Sequence, residues 1–383
     1  MQVTSDIVGL VVDDHAAWTL PATRRLVEAE SPSDDKAAVD ACGRVAAELA
    51  EECDGRVKRH RQREFGDVLE VHWGSARSSS KPVLLLGHLD TVWPLGTLAK
   101  MPWRDKAGKG GGTIWGPGVL DMKAGVAMAL TAMRALGELG IKRPVTLLLN
   151  SEEEIGSPVS RAITEKLARD SAAVLVLEPA QGLACKTARK GVGQYRVEVT
   201  GVAAHAGVDF ERGHSAVLEL ARLLEKIAAF TDPRVGRTVN PGLIGGGTRS
   251  NVIADHAWAE VDVRIAKASD ATKVERLFRG LKCEDKRCSV KISGGLNRPP
   301  MERRAGTVRL YKQARTIAKE LGFALDEAAT GGGSDGNFTA ALGVPTLDGL
   351  GAVGEGAHAA HEHIVVKHLV PRTALLAGLI ASI

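Results

Sequence analysis

Several things are scarce in this chain, and each scarcity excludes something. It has five cysteines in 383 residues, Cys42, Cys53, Cys185, Cys283 and Cys288. An odd count at wide spacing is not a disulfide framework, and reduced thiols are expected. Cys283 and Cys288 bracket a charged turn, but without a second Cys or His pair nearby they do not read as a metal site. No apolar stretch is long enough to span a bilayer. The first twenty residues carry Asp6, Asp13, Asp14 and His15 and lack a basic leading segment, so they do not read as a signal peptide; a cytoplasmic location is expected. No polybasic run with interleaved aromatics occurs, and the formal charge of +4 is spread out, which argues against a nucleic-acid surface. No Gly-x-Gly-x-x-Gly or Lys-Ser/Thr loop follows a strand, so a nucleotide site is not indicated.

What is present is an ordinary globular composition, 44% hydrophobic and 25% charged, at a length that suggests two domains. Three short apolar runs stand out. Val83–Gly87 ends at His88, Val145–Leu149 leads to Glu153 and Glu154, and Val174–Leu177 ends at Glu178. Such runs read as buried strands of a parallel sheet, whose carboxyl ends are where sites gather. Carboxylates delivered together to one edge repel unless a cation neutralises them. Helices are expected at 16–28, at 35–53 with Ser33 as N-cap, and at 124–139 closed by Gly140. A strand at 67–73 and a Ser-rich turn at 75–80 precede the first run.

The character changes near residue 190. Residues 194–200 alternate polar and apolar, as a half-exposed antiparallel strand does. A helix at 215–229, strands at 237–243 and 256–264, a helix at 270–281 and a strand at 289–293 complete a β-α-β-β-α-β order, that of a ferredoxin-like unit. After Pro299-Pro300 a long helix, 304–322, returns the chain to the first domain. The expected architecture is α/β: a discontinuous catalytic domain, 1–189 and 300–383, with a mostly parallel central sheet flanked by helices. An inserted α+β domain at 190–299 would serve as lid and dimerisation domain.

Asp90, two residues after His88, is placed to take the second imidazole N–H and orient the ring. Asp121 follows the Gly116-Pro117-Gly118 turn, where one carboxylate can bridge two metals. Glu152, Glu153 and Glu154 supply a ligand and a general base side by side. With Leu177-Glu178-Pro179, Ala204-His205-Ala206-Gly207, Ser250-Asn251-Val252-Ile253 and Gly356-Ala357-His358 with Glu362, these segments resemble, in order, the co-catalytic zinc aminoacylase and carboxypeptidase family. That family includes glutamate carboxypeptidase, acetylornithine deacetylase and succinyl-diaminopimelate desuccinylase.

The resemblance implies a zinc exopeptidase-like fold and two Zn2+ ions, for which Co2+ or Mn2+ can substitute. Asp121 would bridge them, His88 and Glu178 would hold one, and Glu154 and His358 the other. Glu153 would be general base and acid, Asp90 would orient His88, and Glu152 would be the non-ligand member of the triplet. It also implies a homodimer through the inserted domain, with His205 of the partner subunit stabilising the oxyanion. Asn251 and Arg264 would contact the substrate carboxylate, Arg298 would lie near the specificity pocket, and the loop Thr330-Gly331-Gly332-Gly333 would approach the ligand, with Gly332 at its centre. His361 and His363 are read as non-ligands, and His214 and His256 as ordinary histidines. The expected activity is hydrolysis of an amide next to a free carboxylate in an N-acyl amino acid or short peptide. Glutamate carboxypeptidase is the leading form and an N-acyl-amino-acid deacylase the alternative. A silent scaffold of the same fold is the reading of a different class.

Overall fold

The structure, a computed structural model, describes residues 5–74, 80–108 and 111–383. Most of the Ser-rich turn expected at 75–80, and Lys109 and Gly110 of the glycine-rich segment, lie outside the described residues. The chain divides into two compact units. One comprises the described residues up to Ala188 with Arg303–Ala329 and Ser334–Ile383; the other comprises Arg189–Glu302 with Thr330–Gly333. None of the helices among the described residues is long and apolar enough to cross a membrane.

The first unit is built on a six-stranded sheet. Its spatial order is Arg56–His60, Val68–Trp73, Val145–Asn150, Val83–His88, Ala173–Val176 and Thr346–Leu347. The last four are mutually parallel, and the first two add an antiparallel edge. The three apolar runs become the central strands because every residue in them is buried. Strands covered on both faces have no reason to alternate polar and apolar residues. Parallel register pairs His88 with Asn150 and Leu86 with Val176, so the three runs end at one edge of the sheet.

Helix Ala124–Glu138 lies almost wholly buried on this sheet. Its close approach requires Gly125, where a Cβ would meet the Leu177 carbonyl oxygen at 2.3 Å. Helix Leu369–Ser382 packs beside it, and its buried Arg372 donates to the Gly351 and Leu183 carbonyls at 2.7 and 3.2 Å and to that of Gly349.

One expected cap is corrected. Helix Lys36–Glu51 is capped by Asp35, whose carboxylate accepts from the Ala38 amide at 3.0 Å. Ser33 lies too far upstream to reach the first-turn amides. Its hydroxyl donates instead to Asp90 Oδ2 at 2.6 Å.

The second unit has its own core around Tyr195, Val197, Val199, Leu223, Ile227 and Phe278. Four antiparallel strands run in the order Thr238–Gly246, His256–Ile265, Gly191–Thr200, Ser289–Arg298. Helices Ala216–Ala228 and Ala271–Arg279 complete the β-α-β-β-α-β succession. Strand Gly191–Thr200 buries alternate residues, with helices on one face only.

Candidate metal centre

The parallel register delivers His88, the Glu152–Glu154 segment and Glu178 to one edge of the first unit. Asp121 arrives from the turn before helix Ala124–Glu138, where Gly118 adopts φ +70° and Asp121 itself is extended (φ −113°, ψ 94°). His358 arrives from a C-terminal loop in the left-handed region, φ 62°. For a non-glycine residue that conformation costs about 1 kcal/mol or more and persists only where the surroundings impose it.

The side chains converge. His88, Glu153 and Glu178 each bring one ligand atom within 4.8 Å of the others, as do His88, Asp121 and Glu154. His88 Nε2 lies 3.3 Å from Asp121 Oδ1 and 3.6 Å from Glu178 Oε1. His358 Nε2 lies 3.2 Å from Glu154 and 3.5 Å from Asp121 Oδ2. Asp121 therefore faces both imidazoles. Among the described residues, the ion partners of Asp121 and Glu154 are these histidines.

The electrostatics are those of a cation-seeking site. Burial works against a charged His88, but Asp121, Asp90 and Glu178 outweigh it and raise its pKa well above the ordinary value. Hydrogen bonds to Asp121 and Glu154 push His358 up to about 10. Burial opposes ionisation of Asp121, yet the two imidazoles hold it far below the usual carboxylate range. Burial raises Glu154. Nitrogen and carboxylate oxygen donors of this kind suit borderline divalent ions such as zinc, so the residues present fit a metal.

Asp90 organises the centre from beneath and is fully buried. The His88 Nδ1 sits 3.0 Å from the Asp90 carbonyl and 3.4 Å from its carboxylate. That carboxylate also accepts the backbone amides of Glu153 at 3.0 Å and Glu154 at 3.1 Å, besides the Ser33 hydroxyl. Glu152 turns away into the interior and accepts the amides of Val159 and Ser160 at 3.1 and 2.6 Å. His363 stacks on Trp115 in a small peripheral sheet.

Glu362 and Ser33 support the site through contacts that local sequence pattern does not display. Glu362 is a motif position with no legible function in sequence, and Ser33 was mistaken for a cap. Each acts across a long sequence separation.

In the second unit, the segments carrying His205 and Asn251 lie side by side. His205 bridges Val252, and the Ala206 amide donates to the Asn251 carbonyl at 2.9 Å. Both residues are exposed. Arg264 grips Asp262 through Nη2 at 2.8 Å and Nε at 2.9 Å, and donates to the Gly331 carbonyl at 3.3 Å. The buried Arg189, absent from the sequence reading, donates to the carbonyls of Gly332 at 3.3 Å and Gly333 at 3.0 Å. Arg298 is buried with its Cδ close to Gly333. Arginines thus gather around the glycine loop, whose carbonyls they hold. A cavity of about 680 Å³ in this unit is lined by Phe210, His214, Leu218, Arg222 and Arg249 among others. It contains none of the candidate metal donors, so the chemistry is located by side-chain convergence rather than by cavity size.

The sequence profile described as Peptidase family M20/M25/M40 matches residues 84–382. Carboxypeptidase G2 of Pseudomonas sp. (strain RS-16) is 31% identical over 305 residues, 78% of this chain and 72% of that protein. A tripeptidase from Staphylococcus aureus subsp. aureus Mu50 superposes with a TM-score of 0.78 at 20% identity, covering 96% of this chain and 98% of its own. A dinuclear metal binding peptidase from Bacillus subtilis superposes with a TM-score of 0.68 at 14% identity, over 96% and 98%. The two structural likenesses speak to the fold.

Proposed function

Because the chain belongs to peptidase family M20/M25/M40 and is a metal-dependent peptidase, we propose that it cleaves an amide bond adjacent to a free carboxylate. In its leading form it is a glutamate carboxypeptidase-like exopeptidase. The observation that carries this reading is the convergence of His88, Asp121, Glu153, Glu154, Glu178 and His358 at the strand ends. Its likeness to carboxypeptidase G2 supports the substrate class.

Asp121 would be shared by two divalent cations, with His88 and Glu178 holding one and Glu154 and His358 the other; zinc is the first choice. Bound there, the pair supplies an acidified water and a polarised scissile carbonyl. Glu153 takes the proton from the attacking water and returns it to the departing amine. Asp90 fixes the imidazole of His88 and, through two backbone amides, the acids that follow it.

Asn251, Arg264, Arg298 and Gly332 are the proposed substrate contacts, with Asn251 and Arg264 on its carboxylate. Arg264 is paired with Asp262 through its planar fork, so a substrate carboxylate would have to displace or share that ion pair. The protein would act as a cytoplasmic homodimer, with His205 of the partner subunit donating to the oxyanion. Leu243 and Ile244 stand exposed on an edge strand of the inserted unit, and Val217 and Leu218 on its helix. An unpaired apolar edge of this kind calls for a covering partner.

The test is mass-spectrometric detection of amines released from a pool of N-acyl amino acids and dipeptides, by zinc-loaded and chelated protein. Chelator-sensitive release of glutamate from its conjugates is expected. Release confined to an N-acetyl or N-succinyl donor would replace this reading with the deacylase. Metal bound without any release would favour the silent scaffold.

A further inference from the structure

Resting on the metal-centre reading above, we infer that Glu362 is a positioning residue that locks three ligand-bearing loops into one assembly. Its side chain is fully buried. Oε1 accepts the backbone amides of Leu120 at 2.9 Å and Asp121 at 3.1 Å. Oε2 accepts the Gly118 amide at 2.9 Å and the Trp93 indole N–H at 2.8 Å. Four donors meet one carboxyl group. Only the ionised form offers acceptor sites to all of them and no competing donor.

The turn shows why such an acceptor is needed. Residues 118–121 precede helix Ala124–Glu138, and Asp121 and Met122 have non-helical backbones. Buried amides in such a turn must find acceptors, and Glu362 supplies three of those bonds. Asp121 is thereby held extended, with its carboxylate facing His88 and His358. The same carboxylate holds Trp93, three residues beyond Asp90. It lies four residues beyond His358 in a loop closed by Ala359 amide to Gly356 carbonyl, 2.8 Å, and Glu362 amide to Ala359 carbonyl, 2.9 Å. The loops carrying His88, Asp121 and His358 therefore meet at one buried carboxylate. Glu362 reaches Asp121 through its backbone amide, the loop after His88 through the Trp93 indole, and His358 through the loop they share. Supporting partners of this type set metal affinity by roughly 10- to 100-fold.

The experiment uses the full chain and two substitutions, Glu362→Gln and Trp93→Phe. Zinc affinity is read by competition with a chromogenic chelator, and site geometry by the visible spectrum of the cobalt-loaded protein. Far-UV circular dichroism monitors the fold. Glu362→Gln keeps the size of the side chain but turns an amide NH2 toward donors. It is expected to weaken zinc binding about 10- to 100-fold and to shift the cobalt bands. Trp93→Phe removes one donor only and is expected to shift the bands in the same direction by less. Wild-type affinity and an unchanged cobalt spectrum in both folded variants would overturn the inference. If Glu362→Gln does not fold, Trp93→Phe decides alone, shifted bands supporting and unshifted bands overturning. Wild-type protein that takes up no metal would overturn the metal-centre reading itself, a result separable from metal-replete variants that match the wild type.

Discussion

Glu153 and Glu154 are neighbours in a single short turn, yet they serve different groups. Glu154 meets His358, whereas Glu153 shares its group with His88 and Glu178. The division follows from local geometry. Asp90 pins both amides, and successive side chains of a tight turn diverge. Glu153→Ala should lower kcat by about two to four orders of magnitude while the protein keeps its full metal complement. Glu154→Ala should instead lose metal. Elemental analysis beside single-turnover kinetics checks both, and loss of metal from Glu153→Ala would exchange the two roles. Residue type and spacing placed a ligand and a base among these acids without saying which was which. Glu362 was visible as a motif position, but its job is done through backbone amides, which a sequence does not display.

At the scale of elements, the antiparallel edge of the main sheet carries a charge cluster away from the metal centre. Buried Glu70 lies 2.5 Å from His60 Nε2, 2.7 Å from His72 Nε2 and 3.0 Å from Lys58 Nζ. Burial works against its ionisation, but the bonds from His60 and Lys58 and the charge of His72 prevail, and its pKa is lowered. A carboxyl group lowered in the folded state stabilises the protein above its unfolded pKa, and that contribution is lost as pH falls through the folded value. Glu70→Gln should therefore lower the urea midpoint at neutral pH, with the gap to wild type closing on acidification. A gap independent of pH would assign Glu70 to packing alone. The apolar runs announced the central strands because burial on both faces leaves no alternation to misread. The small peripheral sheet that joins Thr113–Trp115 to His363–Val365 was not foreseen, since its strands are three residues or fewer and far apart in sequence.

For the whole molecule, the inserted unit's exposed edge strand is the surface on which the proposed homodimer would rest. Sedimentation velocity should give about twice the chain mass. Ile244→Lys, which places a charge on that edge, should shift the protein toward monomer. A wild-type monomer at micromolar concentration would remove the dimer and, with it, a partner's His205 from the mechanism. The glycine loop is grouped with the inserted unit although it follows the helix Ala305–Glu320 in sequence. Arg189 and Arg264 hold its carbonyls, and no pattern within the loop signals that attachment.

By itself the sequence determined the α/β class, the buried strands, the β-α-β-β-α-β insertion and the chemical kinds gathered at the site. Each of these is written in short-range periodicity or in residue type at a strand end. The tertiary structure alone decided which acids face which imidazoles, that Asp35 rather than Ser33 caps its helix, and that Glu362 binds three loops together. His358 meets Glu154 across 204 residues, and Glu362 meets Gly118 across 244. Partnerships at such separations are made by the packing of the sheet and the buried helix, where every buried donor must find an acceptor, and local pattern carries no record of them.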